Sequence, residues 1–94
     1  MVAALLSIFL CLCDIDANND YIRLYLRQDG TGQLVTGTVG YDATTRSVPV
    51  TWRRTNRIEI QVCRRGKVVE TLIGRQGRYW GSSGIEYTNG CQTN

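Results

Sequence analysis

The 94-residue sequence predicts an all-β protein, a small antiparallel meander closing into a barrel or a two-layer sandwich after an N-terminal signal segment. Three observations carry that expectation. From Tyr21 onward apolar and polar residues alternate with period two, as they do along a strand with one buried face. Turn signals such as DGTG at 29–32 and Arg65-Gly66 interrupt the alternation at short intervals. The chain has the length of one domain, with no repeat and no linker.

Taken in order, residues 2–13 come first, an apolar run reading VAALLSIFLCLC. A helix that spans a membrane needs roughly 20 apolar residues, so the run is too short for one, and no span is expected in the mature chain. Its length and the polar DIDANND that follows match a signal-peptide core with cleavage after Ala17. That reading gives a signal peptide at 1–17, a single β domain at 18–94 and a secreted or periplasmic protein. The run carries no Lys or Arg before it, and the alternative is a buried strand or helix of the fold. Cleavage would remove Cys11 and Cys13 and leave Cys63 and Cys91, which are expected to pair in an oxidising compartment. A disulfide closing that loop of about 29 residues is worth roughly 3.5 kcal/mol in the chain-entropy model.

The first hairpin joins YIRLYLRQ to QLVTGTVGY. A four-residue loop at 29–32 pairs Leu26 with Val35, Leu24 with Gly37 and Ile22 with Val39, with the apolar partners on one face. The second joins SVPVTWR to RIEIQVC around Arg54-Thr55-Asn56, pairing Trp52 with Ile58, Val50 with Ile60 and Val48 with Val62. Pro49 marks an edge or the start of a strand. The third turns at Arg65-Gly66. A two-residue turn there pairs Ile60 with Thr71, Val62 with Val69 and Ile58 with Ile73 and sets Cys63 with Val68 and Leu72 on the second face, although arginine is a poor residue for a turn of positive φ. The expected total is five strands and a glycine-rich tail with a short strand near 85–88.

The composition narrows the chemistry. The chain has no histidine, which removes the commonest general base and metal ligand. Its cysteines lack zinc spacing, and no phosphate loop or nucleophile elbow is present. No cofactor or metal is expected, and the chain is read as non-enzymatic. The remote exception is a hydrolase using Glu59 and Glu70, which share a face in the register above. Net charge is +3, rising to +5 without Asp14 and Asp16, and ten of the eleven basic residues are arginine. Arginine forks onto carboxylate, sulfate and phosphate and stacks on rings.

The stripe Tyr21-Arg23-Tyr25-Arg27 therefore reads as a binding face for an anionic polymer or protein partner. The same residues are also ordinary on the solvated face of a strand. RRTNR at 53–57 and RRGK at 64–67 are basic hairpin tips, which reinforce that face only if they converge on one side. In GRYWGSSGIEYTNGC at 77–91, neighbours Tyr79 and Trp80 point opposite ways, leaving one inward and one exposed. Within this stretch SGIEYTNG (83–90) resembles the Ser-Gly-x-x-Tyr loop of the periplasmic inhibitors of c-type lysozyme, a family of small secreted β-barrels. The resemblance implies that Ser83, with Tyr87, inserts into an enzyme cleft. The family's following Trp-x-Lys-Gly motif has no counterpart here. Two functions stand side by side: a secreted module binding an anionic glycan, envelope polymer, nucleic acid or acidic protein surface, and an enzyme-blocking inhibitor acting through 81–90.

Overall fold

The computed structural model describes residues 8–15, 18, 20–40 and 45–90. They form eight antiparallel strands: β1 (Ile8–Ile15), β2 (Asp20–Arg27), β3 (Thr31–Thr38), β4 (Thr45–Arg54), β5 (Glu59–Arg64), β6 (Lys67–Arg75), β7 (Arg78–Gly81) and β8 (Glu86–Asn89). Each strand pairs with the next, and β8 returns to β1, so the sheet closes into a barrel. Closure rests on Leu12 opposite Asn89, Cys13 opposite Thr88, and the Gly90 amide donating to the Cys11 carbonyl at 2.8 Å.

Alternation sorts the side chains. Leu10, Leu12, Leu24, Leu26, Val50, Ile60, Val62, Leu72 and Tyr87 form the buried core. The outward positions carry arginine, threonine and glutamine together with the exposed Phe9, Ile15, Val68, Val69 and Trp80. The apolar run near the N-terminus supplies most of β1: Leu10 faces Leu26 and Leu12 faces Leu24, both inside.

All three hairpins depart from the expected registers. In the first, Leu26 faces Gly32, Leu24 faces Leu34 and Ile22 faces Thr36. The loop has three residues, because Asp29 Oδ1 accepts from the Thr31 amide at 3.0 Å and the Thr31 hydroxyl at 2.6 Å, and Gly30 takes φ 90°. This tighter turn turns Leu34 inward and Val35 outward. Gly32 then sits in the core, where a Cβ would lie 3.2 Å from Leu26 Cδ2 and 3.3 Å from Val50 Cγ2.

In the second hairpin Trp52 faces Val62, and Ile58 joins the turn and is exposed. Asn56 Oδ1 caps that turn, accepting from the Ile58 and Glu59 amides at 3.0 Å each. Pro49 does lie at a local edge. β4 pairs with β5 only from Thr51 onward, so the side of Pro49 away from β3 has no strand beside it.

The third hairpin has the expected two-residue turn, with Arg65 at φ 54° and Gly66 at φ 79°, and Cys63 does face Val68. A bulge between Val62 and Cys63 then shifts the pairing by one residue. Val62 faces Glu70 and Ile60 faces Leu72, so Glu70 and Leu72 point inward while Val68 and Val69 are exposed. One extra residue on a strand exchanges its faces. Glu59 and Glu70 consequently lie on opposite faces, which removes the paired-carboxylate arrangement.

The cysteine pairing also changes. Cys63 is a free thiol on the outer face of β5, as is Cys13 on β1, whereas Cys11 is disulfide-bonded. With Cys63 free, the expected bridge from it is not formed. Cys91 lies outside the described residues.

Candidate binding sites

Three places in the barrel gather chemistry. The first is Glu70, 7% exposed on the inner face of β6. Its Oε1 accepts from the Ser82 hydroxyl and the Ser83 amide, both at 2.9 Å. Its Oε2 accepts from the Ser83 hydroxyl at 2.6 Å and the Tyr87 hydroxyl at 2.9 Å. Burial pushes the Glu70 carboxyl up, but the bonds from Ser83, Tyr87 and Ser82 together hold it below the ordinary carboxylate range. Burial, and then the bond to Glu70, push the Tyr87 phenol well above its usual value, and the charge of Asp14 adds to this.

Gly81 makes room for the carboxylate, since a Cβ there would lie 2.8 Å from Glu70 Cδ and 3.0 Å from Tyr87 Cε1. The loop at 82–85 is thus fastened from within. Its base is also tied to β6, where the Ser82 amide donates to the Thr71 carbonyl at 2.9 Å and Ser82 Oγ accepts from the Thr71 amide at 3.0 Å. Beside this group a cavity of about 160 Å³ opens, lined by Ile22, Leu24, Leu34 and Val62 together with Val69, Glu70, Ser83 and Tyr87.

The second place is the outer face of β2. Tyr21, Arg23, Tyr25 and Arg27 project from it side by side, each half-buried. The Arg23 guanidinium lies 5.3 Å from the Tyr21 ring centre and donates to the Tyr25 hydroxyl at 3.3 Å. Arg27 donates to the Thr31 hydroxyl at 3.3 Å. The stripe exists as a continuous face, with Arg23 laid between Tyr21 and Tyr25 and Arg27 turned to Thr31.

The third place is the barrel end that holds the β2–β3, β4–β5 and β6–β7 turns. Arg57, Arg75 and Arg78 line one depression of about 210 Å³ there, with Tyr79 and Asn89 and no carboxylate in the lining. Arg57 is positioned by the β4–β5 turn, which is tied to β6 by the Gly74 amide donating to the Ile58 carbonyl at 2.7 Å. Arg75 and Arg78 flank a two-residue turn with Gln76 at φ 54° and Gly77 at φ 80°. Arg78 is ion-paired with Glu86, the one such pair among the described residues. Next to this end Phe9 stacks on Trp52 with ring centres 5.1 Å apart, and Arg54 lies 5.6 Å from the Phe9 ring centre.

The sequence-derived candidates fall into separate groups. Tyr21, Arg23, Tyr25 and Arg27 stand together. Ser83 and Tyr87 meet at Glu70. Tyr79 packs against the core and covers Gly74, while Trp80 is 47% exposed on the opposite face, as the alternation of neighbours requires. The basic tips do not converge: 53–57 and 64–67 lie at opposite ends of the barrel. What sequence reasoning missed is the grouping of Arg57 with Arg75 and Arg78. A usable signal was present, because Gln76-Gly77 between two arginines is a turn of the same kind as Arg65-Gly66. No protein-family model matches the chain, and neither a curated protein nor a solved structure matches it.

Proposed function

We propose that this barrel is an exported, non-catalytic binding module for an anionic ligand. The observation that carries the reading is the depression lined by Arg57, Arg75 and Arg78, to which the β4–β5 and β6–β7 turns bring three arginines without an acidic residue in the lining, Arg78 being paired with Glu86 beside it. Guanidinium forks suit sulfate, phosphate and carboxylate oxygens. The β2 stripe supplies a second positive face with flat rings, suited to a polymeric ligand that extends beyond one depression. Export accords with a disulfide-bonded Cys11, since such bonds persist in oxidising compartments. Because β1 carries core leucines, the proposal keeps residues 8–15 in the mature barrel.

The test is binding of heparin, a sulfated polymer, as a function of salt. The wild type is expected to be retained at low salt. Arg57→Ala with Arg75→Ala is expected to lower the slope of log affinity against log salt by about one unit per lost contact. Arg23→Ala with Arg27→Ala reports separately on the stripe. A wild type that passes a heparin column unretarded at low salt ends this reading.

One observation favours the enzyme-blocking alternative. The Ser82-Ser83-Gly84 loop is exposed yet fastened at its base by Glu70, and a loop held in shape before contact loses little entropy on insertion. Inhibition of an enzyme that is insensitive to salt and lost in Ser83→Trp would favour it over counterion-driven binding.

A further inference from the structure

We infer that the cavity beside Glu70 is a second, separate binding site, which takes a compact apolar group bearing a protonated amine. Eight-stranded barrels have interiors that side chains just fill or that hold one small ligand, and here a cavity opens beside the packed Leu24, Val62 and Tyr87. The cavity measures about 160 Å³. An apolar cavity of about 150 Å³ in a protein interior is large enough for benzene.

Its wall is mostly aliphatic, from Ile22, Leu24, Leu34 and Val62, and its polar part is the Glu70 group with Tyr87. That group is ionised, and the lining contains no arginine or lysine to neutralise it. The nearest candidate on the inward register of β4 is Arg46, opposite Thr36. It is exposed and lines a different depression with Thr36, Gly37 and Thr45. Asp14, inward on β1 opposite Ile22, adds a second negative charge that is felt at Tyr87. The field inside this mouth is thus negative although the protein as a whole is positive. An anion is repelled there, a neutral ligand gains only apolar contact, and an ammonium group gains charge attraction in a partly dehydrated setting. The site is chemically the opposite of the arginine-lined end and does not depend on it.

The experiment uses the full chain and three probes of one shape: benzylammonium, benzyl alcohol and benzoate, titrated at neutral pH and followed by ¹H–¹⁵N correlation spectra. Benzylammonium is expected to shift the Leu24, Leu34, Val62 and Tyr87 amides and to bind about tenfold more tightly than benzyl alcohol. Benzoate is expected to leave them unmoved. Leu34→Phe, which fills the cavity, is expected to abolish the responses to benzylammonium and benzyl alcohol while its thermal melt shows a folded protein. Glu70→Gln is expected to reduce the preference for amine over alcohol to about threefold or less. Asp14→Asn gives a second reading of that preference if Glu70→Gln fails to fold. Binding of benzoate or benzyl alcohol as tight as that of benzylammonium overturns the inference. So does the absence of any response in the wild type, an unchanged response in Leu34→Phe, or an unchanged preference in the folded charge variants.

Discussion

Replacing Glu70 by glutamine tests how much of the fold rests on one buried carboxylate. The substitution keeps the volume and removes the charge. A single amide oxygen then serves at most two of the four donors from Ser82, Ser83 and Tyr87. The Ser83 and Tyr87 hydroxyls can turn to accept from the new NH₂ group, but the Ser83 amide cannot. A bond to a charged group contributes about 1.5–3 kcal/mol net, and one between neutral groups about 0.5–1.5 kcal/mol. Weakening four bonds by about 1 kcal/mol each costs about 4 kcal/mol, and no longer burying a charge returns roughly half of that. The expected loss is about 2 kcal/mol at neutral pH, or roughly 10–15 °C in Tm for a domain of this size.

Urea unfolding followed by tryptophan fluorescence measures the loss directly. Acidification supplies an independent check. The folded pKa of Glu70 is depressed, so its contribution is complete above the unfolded value of about 4.3 and is lost as pH falls through the folded value. The wild-type and Glu70→Gln stabilities should therefore converge on acidification. A variant within about 0.5 kcal/mol of the wild type at neutral pH, or a gap that does not narrow in acid, would refute the reasoning.

Gly81→Ala should destabilise by about 2–3 kcal/mol, because the new methyl meets the Glu70 carboxylate and the Tyr87 ring; a chemical denaturation midpoint near that of the wild type would count against the tight fit. Cys63→Ser should change stability by less than about 0.5 kcal/mol, since Cys63 is free, and the wild type should react with a thiol reagent while still folded. A loss of about 2–5 kcal/mol would instead mean that Cys63 is bridged. A chain beginning at residue 18 lacks β1 and should show no cooperative melt, and the intact mass of exported protein should retain residues 8–15; a folded 18–94 fragment would show that the barrel closes without them.

Much of the architecture follows from local pattern. Alternation marks the strands from Tyr21 on, and turn chemistry places the hairpins, because both act over a few residues. The Tyr21–Arg27 stripe and the opposed directions of Tyr79 and Trp80 are legible for the same reason, being properties of one strand. The placement of Glu70 was not legible. A period-two pattern fixes which residues share a face only until a bulge intervenes, and the bulge between Val62 and Cys63 is favoured by donors to Glu70 that arrive from Ser82, Ser83 and Tyr87, twelve to seventeen residues beyond it. The apolar run at the N-terminus reads equally as a leader or a strand; its register against β2 and β8 is what makes it β1. The meeting of Arg57 with Arg75 and Arg78 is likewise tertiary, because the pairing of β5 with β6 sets the β4–β5 and β6–β7 turns side by side. Sequence determined β2 to β6 and β8, the places of their turns and the surplus of arginine, but not β1 or β7. The tertiary structure decided which charge faces inward, which cysteine is bonded and which arginines share a site, because each of these depends on pairing across the sheet.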